Sequence, residues 1–318
     1  MVIALSLLVL GLVILILGAE GLVRGASSLA KKLGISSLVI GLTIVAFGTS
    51  APELVVNIFS ALEGSADIAI GNIIGSNIAN ILLILGISAL ITPLAVTSGT
   101  VWKEIPFGLL AMGLTFIMGN DALIDKVGFN AITRTDGLTL MALMAIFMYY
   151  VISIAKKGNG NHDDVKQYST AMSVTLILGG LAALFYGGKL LVDNAIILAR
   201  LAGLSESLIG LTIVAVGTSL PELATSVVAA MHKQNDIAVG NIIGSNIFNI
   251  FWILGLSSVI LQLPFNPTVN IDVLVGIGAT LLLFFTMFVG KRHTIEGWQG
   301  AFFIFLYVSY VGYLVVRG

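Results

Sequence analysis

Apolar runs of about 20 residues recur along the whole chain, separated by short polar turns. That is the length a helix needs to cross a bilayer. Ten such segments are predicted, at about 2–23, 36–62, 67–92, 105–120, 135–155, 170–195, 205–231, 236–262, 270–290 and 297–316. The first has no basic leader and no A-x-A-like site after it, so it reads as a span and not as a signal peptide. The one long polar stretch, 156–169, divides the chain into residues 1–155 and 170–318, with five segments in each half. The pattern predicts an all-α membrane protein with ten transmembrane helices.

Composition narrows the function. Hydrophobic residues make up 58% and charged residues 10% of the 318 positions, against roughly half and a quarter in soluble domains. A soluble enzyme and a disordered chain are excluded. The net charge of −1 gives no electrostatic case for a nucleic-acid partner. There is no cysteine for disulfides or thiolate chemistry, and His162, His232 and His293 lack metal-site spacing. These histidines, with Asp121, Asp125, Asp163 and Asp164, read as solvated loop groups. Asp67 and Asp236 read as helix N-caps. With the N-terminus outside, 10 Lys and Arg face inward and 5 outward, which favours both termini outside.

The two halves contain the same passage. Residues 40–81 align with 209–250 at a constant offset of 169, with 27 of 42 positions identical and no gap. Five segments per half is an odd number, so the second copy enters the membrane inverted. Inverted repeats are the architecture of many secondary transporters, with the site at the repeat interface near the midplane.

The shared residues are polar and sit at mid-segment. One helix of each repeat carries Gly48, Thr49, Ser50, Pro52 and Glu53, or Gly217, Thr218, Ser219, Pro221 and Glu222. The next carries Ser76, Asn77 and Asn80, or Ser245, Asn246 and Asn249. A carboxylate at the bilayer centre costs at least ~2.5 kcal/mol, and no Lys or Arg lies at that depth to neutralise Glu53 or Glu222. The missing counter-charge is a proton or a bound cation. Pro52 and Pro221 each break a helix and free carbonyls, with those of Ala46, Thr49, Ala215 and Thr218 close to the break. Ser50 and Glu53, three apart, share a helix face, as do Thr49 and Glu53, four apart. An all-oxygen set of carboxylate, amide, hydroxyl and carbonyl suits hard cations such as Ca²⁺ and Na⁺. Gly75, Gly86, Gly244 and Gly255 read as packing contacts, not ligands.

At these residues the chain resembles the cation/Ca²⁺ exchanger superfamily, and most closely its compact prokaryotic sodium/calcium exchangers. GTSAPE with GNIIGSNIAN, and GTSLPE with GNIIGSNIFN, match that family's two α-repeats. The resemblance implies antiport of Na⁺ against Ca²⁺ by alternating access, with broken helices at the midplane. Segments one and six would be the two long helices that slide across the ion-holding core. It implies Ca²⁺ ligation by Glu53 and Glu222 with the carbonyls of Thr49 and Thr218. Na⁺ sites would use Ser50, Ser219, Ser76, Ser245, Asn80, both Glu residues and the carbonyls of Ala46 and Ala215. Where K⁺-dependent relatives have Asp, this chain has Asn249, which disfavours K⁺ co-transport. No cofactor is implied beyond the transported ions. A multi-pass protein of the plasma membrane, working as a monomer within the lipid bilayer, is expected. H⁺/Ca²⁺ exchange and a cation channel are the competing readings.

Overall fold

The structure, a computed structural model, describes residues 1–155, 166–203 and 215–317. Its helices in chain order are α1 (Val2–Leu33), α2 (Ser37–Thr49), α3 (Ala51–Leu62), α4 (Ala66–Ile91), α5 (Thr100–Met118), α6 (Asp121–Ile124) and α7 (Arg134–Ala155). They continue with α8 (Thr170–Leu201), α9 (Ala215–Gly217), α10 (Leu220–Met231), α11 (Asn235–Ile260), α12 (Pro267–Thr286) and α13 (Gly297–Arg317). Eight of the described helices are long and apolar enough to span a membrane, or nine spans if the bent pair α2–α3 counts as one. Of the expected segment 205–231, residues 205–214 lie outside the described range, as do residue 204 and linker residues 156–165 with His162, Asp163 and Asp164.

Several boundaries differ from the sequence expectation. Helix α1 runs on to Leu33 and α8 to Leu201. Hydropathy falls at Arg24, but small residues beyond it keep α1 against α8. Ser28 Oγ receives bonds from Ser173 Oγ at 2.9 Å and from the Tyr168 N–H at 2.8 Å. The helix stops at Gly34, whose φ of 65° closes the last turn behind Lys31 and Lys32. Helix α5 begins at Thr100, before the expected 105, because the buried Glu104 is bonded by the Tyr150 hydroxyl of α7 and need not stay in water. Asp67 and Asp236 are not caps. Their helices start one residue earlier, after Ser65 and Gln234, and each Asp lies in the first turn, where its charge suits the helix dipole.

Helices α1 and α8 pack antiparallel at backbone contact. A methyl group on Gly18 would lie 2.8 Å from Leu184 N, and one on Gly180 2.7 Å from Leu22 N. The same relation joins Gly11 to Leu191 and Gly187 to Leu15. All four pairings map onto one another under the 169-residue offset. Two short strand pairs tie the halves together at their loops: Leu94–Ala95 with Thr294–Ile295, and Ala131–Ile132 with Leu263–Pro264.

Helices α4 and α11 are the most enclosed of the spanning helices. The outer helices leave large apolar residues exposed, such as Leu5, Leu12 and Ile16 of α1 and Phe302, Phe305 and Val308 of α13. Such a belt suits lipid, while polar backbone stays inside helices. Gly86, Gly244 and Gly255 do sit in tight packing contacts, whereas Gly75 faces open space.

Candidate functional site

The site forms where two helix breaks meet two central helices. Helix α2 ends at Thr49 and α3 starts at Ala51, turning the axis by 45°. Ser50 takes φ −81°, ψ 8° at that break, and Ser219 takes φ −86°, ψ 6° before α10. Pro52 and Pro221 sit in the first turns that follow, where a missing N–H costs no helical bond. Glu53 and Glu222, one residue further, are buried in the first turns of α3 and α10.

Each carboxylate is bonded by hydroxyls from two other helices. Ser50 Oγ donates to Glu222 Oε1 at 3.0 Å, and Ser245 Oγ donates to the same oxygen at 3.3 Å. Ser219 Oγ donates to Glu53 Oε1 at 3.5 Å, and Ser76 Oγ at 3.4 Å. The arrangement is reciprocal: the serine at each break serves the glutamate of the opposite half. Sequence spacing placed Ser50 on the face of Glu53; its hydrogen bond goes to Glu222.

A second reciprocal set is made of amides. Asn77 Nδ2 donates to the Asn246 carbonyl at 3.1 Å, and Asn246 Nδ2 to the Asn77 carbonyl at 3.3 Å. Asn80 Nδ2 donates to Asn246 Oδ1, and Asn249 Nδ2 to Asn77 Oδ1, both at 2.9 Å. Both helices widen into π turns here, over Asn80–Ile84 and Phe248–Leu254. Such turns are frequent at functional sites.

Four buried oxygens of this cluster have no hydrogen-bond partner among the described residues. They are Glu53 Oε2, Glu222 Oε2, Asn80 Oδ1 and Asn249 Oδ1. A buried acceptor left without a donor costs about 1–3 kcal/mol. Four in one cluster, all acceptors, make a site shaped for a cation. Two carboxylates with neutral oxygens match hard-cation chemistry, in which Ca²⁺ takes roughly 6–8 oxygens.

The other expected residues divide. Thr49 and Thr218 turn their hydroxyls to Asn241 Oδ1 at 2.9 Å and Asn72 Oδ1 at 3.3 Å. Their side chains therefore brace the site, and only their carbonyls remain as candidate ligands. The Ala46 carbonyl accepts from Ser50 N at 3.0 Å and from Ser245 Oγ at 3.5 Å, so it faces the opposite half. Ala215 opens the described turn Ala215–Gly217, and the residues just before it lie outside the described range.

Asn72 and Asn241 were missed by the sequence reading. Asn241 Nδ2 donates to Ser226 Oγ at 3.0 Å and Asn72 Nδ2 to Asn57 Oδ1 at 2.9 Å, so each holds the helix that carries a glutamate. The signal was available: Asn72, Ser76 and Asn80 recur every four residues on one face of α4, as Asn241, Ser245 and Asn249 do on α11. Three groups expected to be solvated are not: His293 Nε2 is buried, and two others are engaged. Asp121 Oδ2 accepts from Ala131 N at 3.0 Å, and His232 Nε2 lies 2.7 Å from Glu20 Oε2.

Comparisons with known proteins point to ion exchangers. The sodium/calcium exchanger protein family matches residues 3–153 and 172–316. The putative antiporter CaxA of Alkalimonas amylolytica is 38% identical over 294 residues, 89% of each chain. The sodium/calcium exchanger MaX1 of Methanosarcina acetivorans is 33% identical over 325 residues, 91% of each chain. The solved sodium-calcium exchanger NCX_Mj superposes with a TM-score of 0.82 at 34% identity, covering 98% of this chain and 99% of its own. A multi-pass membrane transporter, and not a catalyst, is what these matches describe. The chain belongs to the sodium/calcium exchanger protein family.

Proposed function

We propose that the chain is a secondary antiporter that exchanges Na⁺ for Ca²⁺ by alternating access, with the ions held between Glu53 and Glu222. The observation that carries this reading is the reciprocal hydrogen bonding of the two glutamates, each leaving one buried oxygen unused. Two carboxylates neutralise one Ca²⁺ or two Na⁺, so the ions compete for the same charges. That competition is what couples opposite fluxes.

The full architecture is ten transmembrane helices in two inverted five-helix repeats, 1–155 and 170–318, joined by the linker 156–169. The antiparallel packing of α1 on α8 supports it, since equivalent helices run in opposite directions. The ligand set is Glu53, Glu222, Ser50, Ser219, Ser76, Ser245, Asn80 and Asn249, with the carbonyls of Ala46, Thr49, Ala215 and Thr218. Both termini face outward from a plasma membrane, and one chain suffices for the site.

Liposomes loaded with Na⁺ and diluted into Na⁺-free buffer with radioactive Ca²⁺ test the reading. A proton ionophore is present, and Glu222→Gln is run beside the unsubstituted protein. Uptake that requires internal Na⁺ and vanishes in Glu222→Gln is expected. Uptake that ignores Na⁺ but follows an imposed pH gradient without ionophore would assign H⁺/Ca²⁺ exchange instead.

A further inference from the structure

Two equivalent interfaces of the molecule are in different states. Helix α1 packs along α10. Under the 169-residue offset the counterpart is α8 along α3, and there a cavity of about 330 Å³ intervenes. Pro52, Val55 and Val56 of α3 line one side; Leu184, Phe185 and Lys189 of α8 line the other. Thr218 and Pro221, from the helix break that precedes Glu222, line it as well.

Each interface has a charged group at its rim. At the closed one, Glu20 of α1 is paired with Arg24 of its own helix at 2.5 Å and with His232 at 2.7 Å. His232 ends α10, in a turn where Lys233 takes φ 58°. At the open one, the counterparts of Glu20, Arg24 and His232 are Lys189, Asp193 and Glu63. Glu63 ends α3, in a turn of the same form, with Gly64 at φ 76°. Acidic and basic side chains change places at all three positions, so every pairing keeps an acid beside a base. Lys189 is bonded to Asp193 at 2.8 Å, as Glu20 is to Arg24. The third contact is missing: Glu63 is exposed and its carboxylate has no ion pair among the described residues. Glu63 lies two turns beyond Val56 on the same face of α3, so it is aligned with the cavity wall.

The rims lie on either side of the midpoint of the α1–α8 pair. Gly18 sits between Gly180 and Leu184, and Gly180 between Gly18 and Leu22, which puts Glu20 level with Gly180 of α8. Lys189 is nine residues further along, roughly 14 Å away.

We propose that Glu20–His232 and Lys189–Glu63 are two ionic latches that close in alternation, one for each face of the membrane. The inference rests on the alternating-access reading above. Displacement of the α1–α8 pair that closes the cavity brings Lys189 onto Glu63 and draws Glu20 off His232. Exposed pairs of this kind shift an equilibrium by only about two- to fivefold. That weakness suits a cycle, because a strong pair would trap one state. Glu20, His232, Lys189 and Glu63 are positioning residues that touch no ion in the site.

The absence of native cysteine gives a direct test. Glu63→Cys with Lys189→Cys, and Glu20→Cys with His232→Cys, are made separately and combined. Each is oxidised in proteoliposomes with copper phenanthroline and air. Each pair alone is expected to form a disulfide that stops exchange, with recovery in dithiothreitol. The combined variant is expected to form one disulfide per molecule and keep two free thiols. Both disulfides in one molecule, or no disulfide between positions 63 and 189 while 20 and 232 cross-link, would overturn the proposal. A charge swap guards against misfolded cysteine variants: Lys189→Glu and Glu63→Lys each slow exchange, and the double variant restores it. A double variant no faster than the slower single one counts against the latches. Loss of Na⁺-driven Ca²⁺ flux in the unsubstituted protein would sink the antiporter reading instead, and the thiol count would still decide the latches.

Discussion

Asn77 and Asn246, 169 residues apart, hold each other's backbone across the centre of the molecule: each side-chain amide donates to the other's main-chain carbonyl, at 3.1 and 3.3 Å. The pair ties α4 to α11 at the level of the glutamates. Removing either side chain leaves a buried carbonyl and a second amide, Asn249 or Asn80, without a partner.

Asn77→Ala and Asn246→Ala are each expected to destabilise the fold by about 1–3 kcal/mol. The double variant should depart from the sum, because the two side chains belong to one network. Thermal unfolding of the four proteins in detergent measures this. Strict additivity would show that the two amides act independently.

Glu53→Gln and Glu222→Gln keep shape and most hydrogen bonds while removing one charge each. Both are expected to remain folded by size-exclusion chromatography and to abolish Na⁺-driven Ca²⁺ uptake. Equal loss in both follows from their reciprocal environments. Retained uptake in either variant would remove that glutamate from the ion site.

On the proposed reading, Asn249→Asp places a third carboxylate beside two that balance one Ca²⁺. The Ca²⁺-loaded site then keeps one negative charge and needs a further monovalent cation. Ca²⁺ uptake by Asn249→Asp is expected to become dependent on added K⁺, while that of the unsubstituted protein is not. Equal K⁺ response in the two proteins would show that Asn249 lies outside the ion's charge balance.

Gly180→Ala should cost about 1–3 kcal/mol through overpacking, since its new methyl would lie 2.7 Å from the backbone of α1. Gly179→Ala, one residue away, meets nothing within 4 Å and should be neutral or slightly stabilising. The two melting temperatures, compared directly, test whether α1 and α8 meet at backbone contact as described.

Much of this protein was readable along the chain. Hydropathy marked the eight or nine spans found among the described residues, and the duplicated passage marked the residues that pair across the site. The mid-segment positions of Glu53, Glu222, Asn80 and Asn249 gave the candidate site. These signals are local or repeat at a fixed offset, so they survive in one dimension. Helix ends were less readable, because α1 continues past Arg24 on packing and capping that hydropathy does not record.

The chain alone determined that the protein lives in a bilayer, is built twice, and carries two unneutralised carboxylates at one depth. Only the tertiary structure decided partners. Spacing shows which residues share a helix face but not which helix comes to meet it. So Ser50 serves Glu222 and not its neighbour Glu53, and Asn72 and Asn241 hold the two glutamate helices in place. Glu20 and His232 meet although 212 residues separate them, and Lys189 and Glu63 do not. That difference between two sequence-equivalent places depends on where one helix pair sits against the core, and a repeat of sequence carries no record of it.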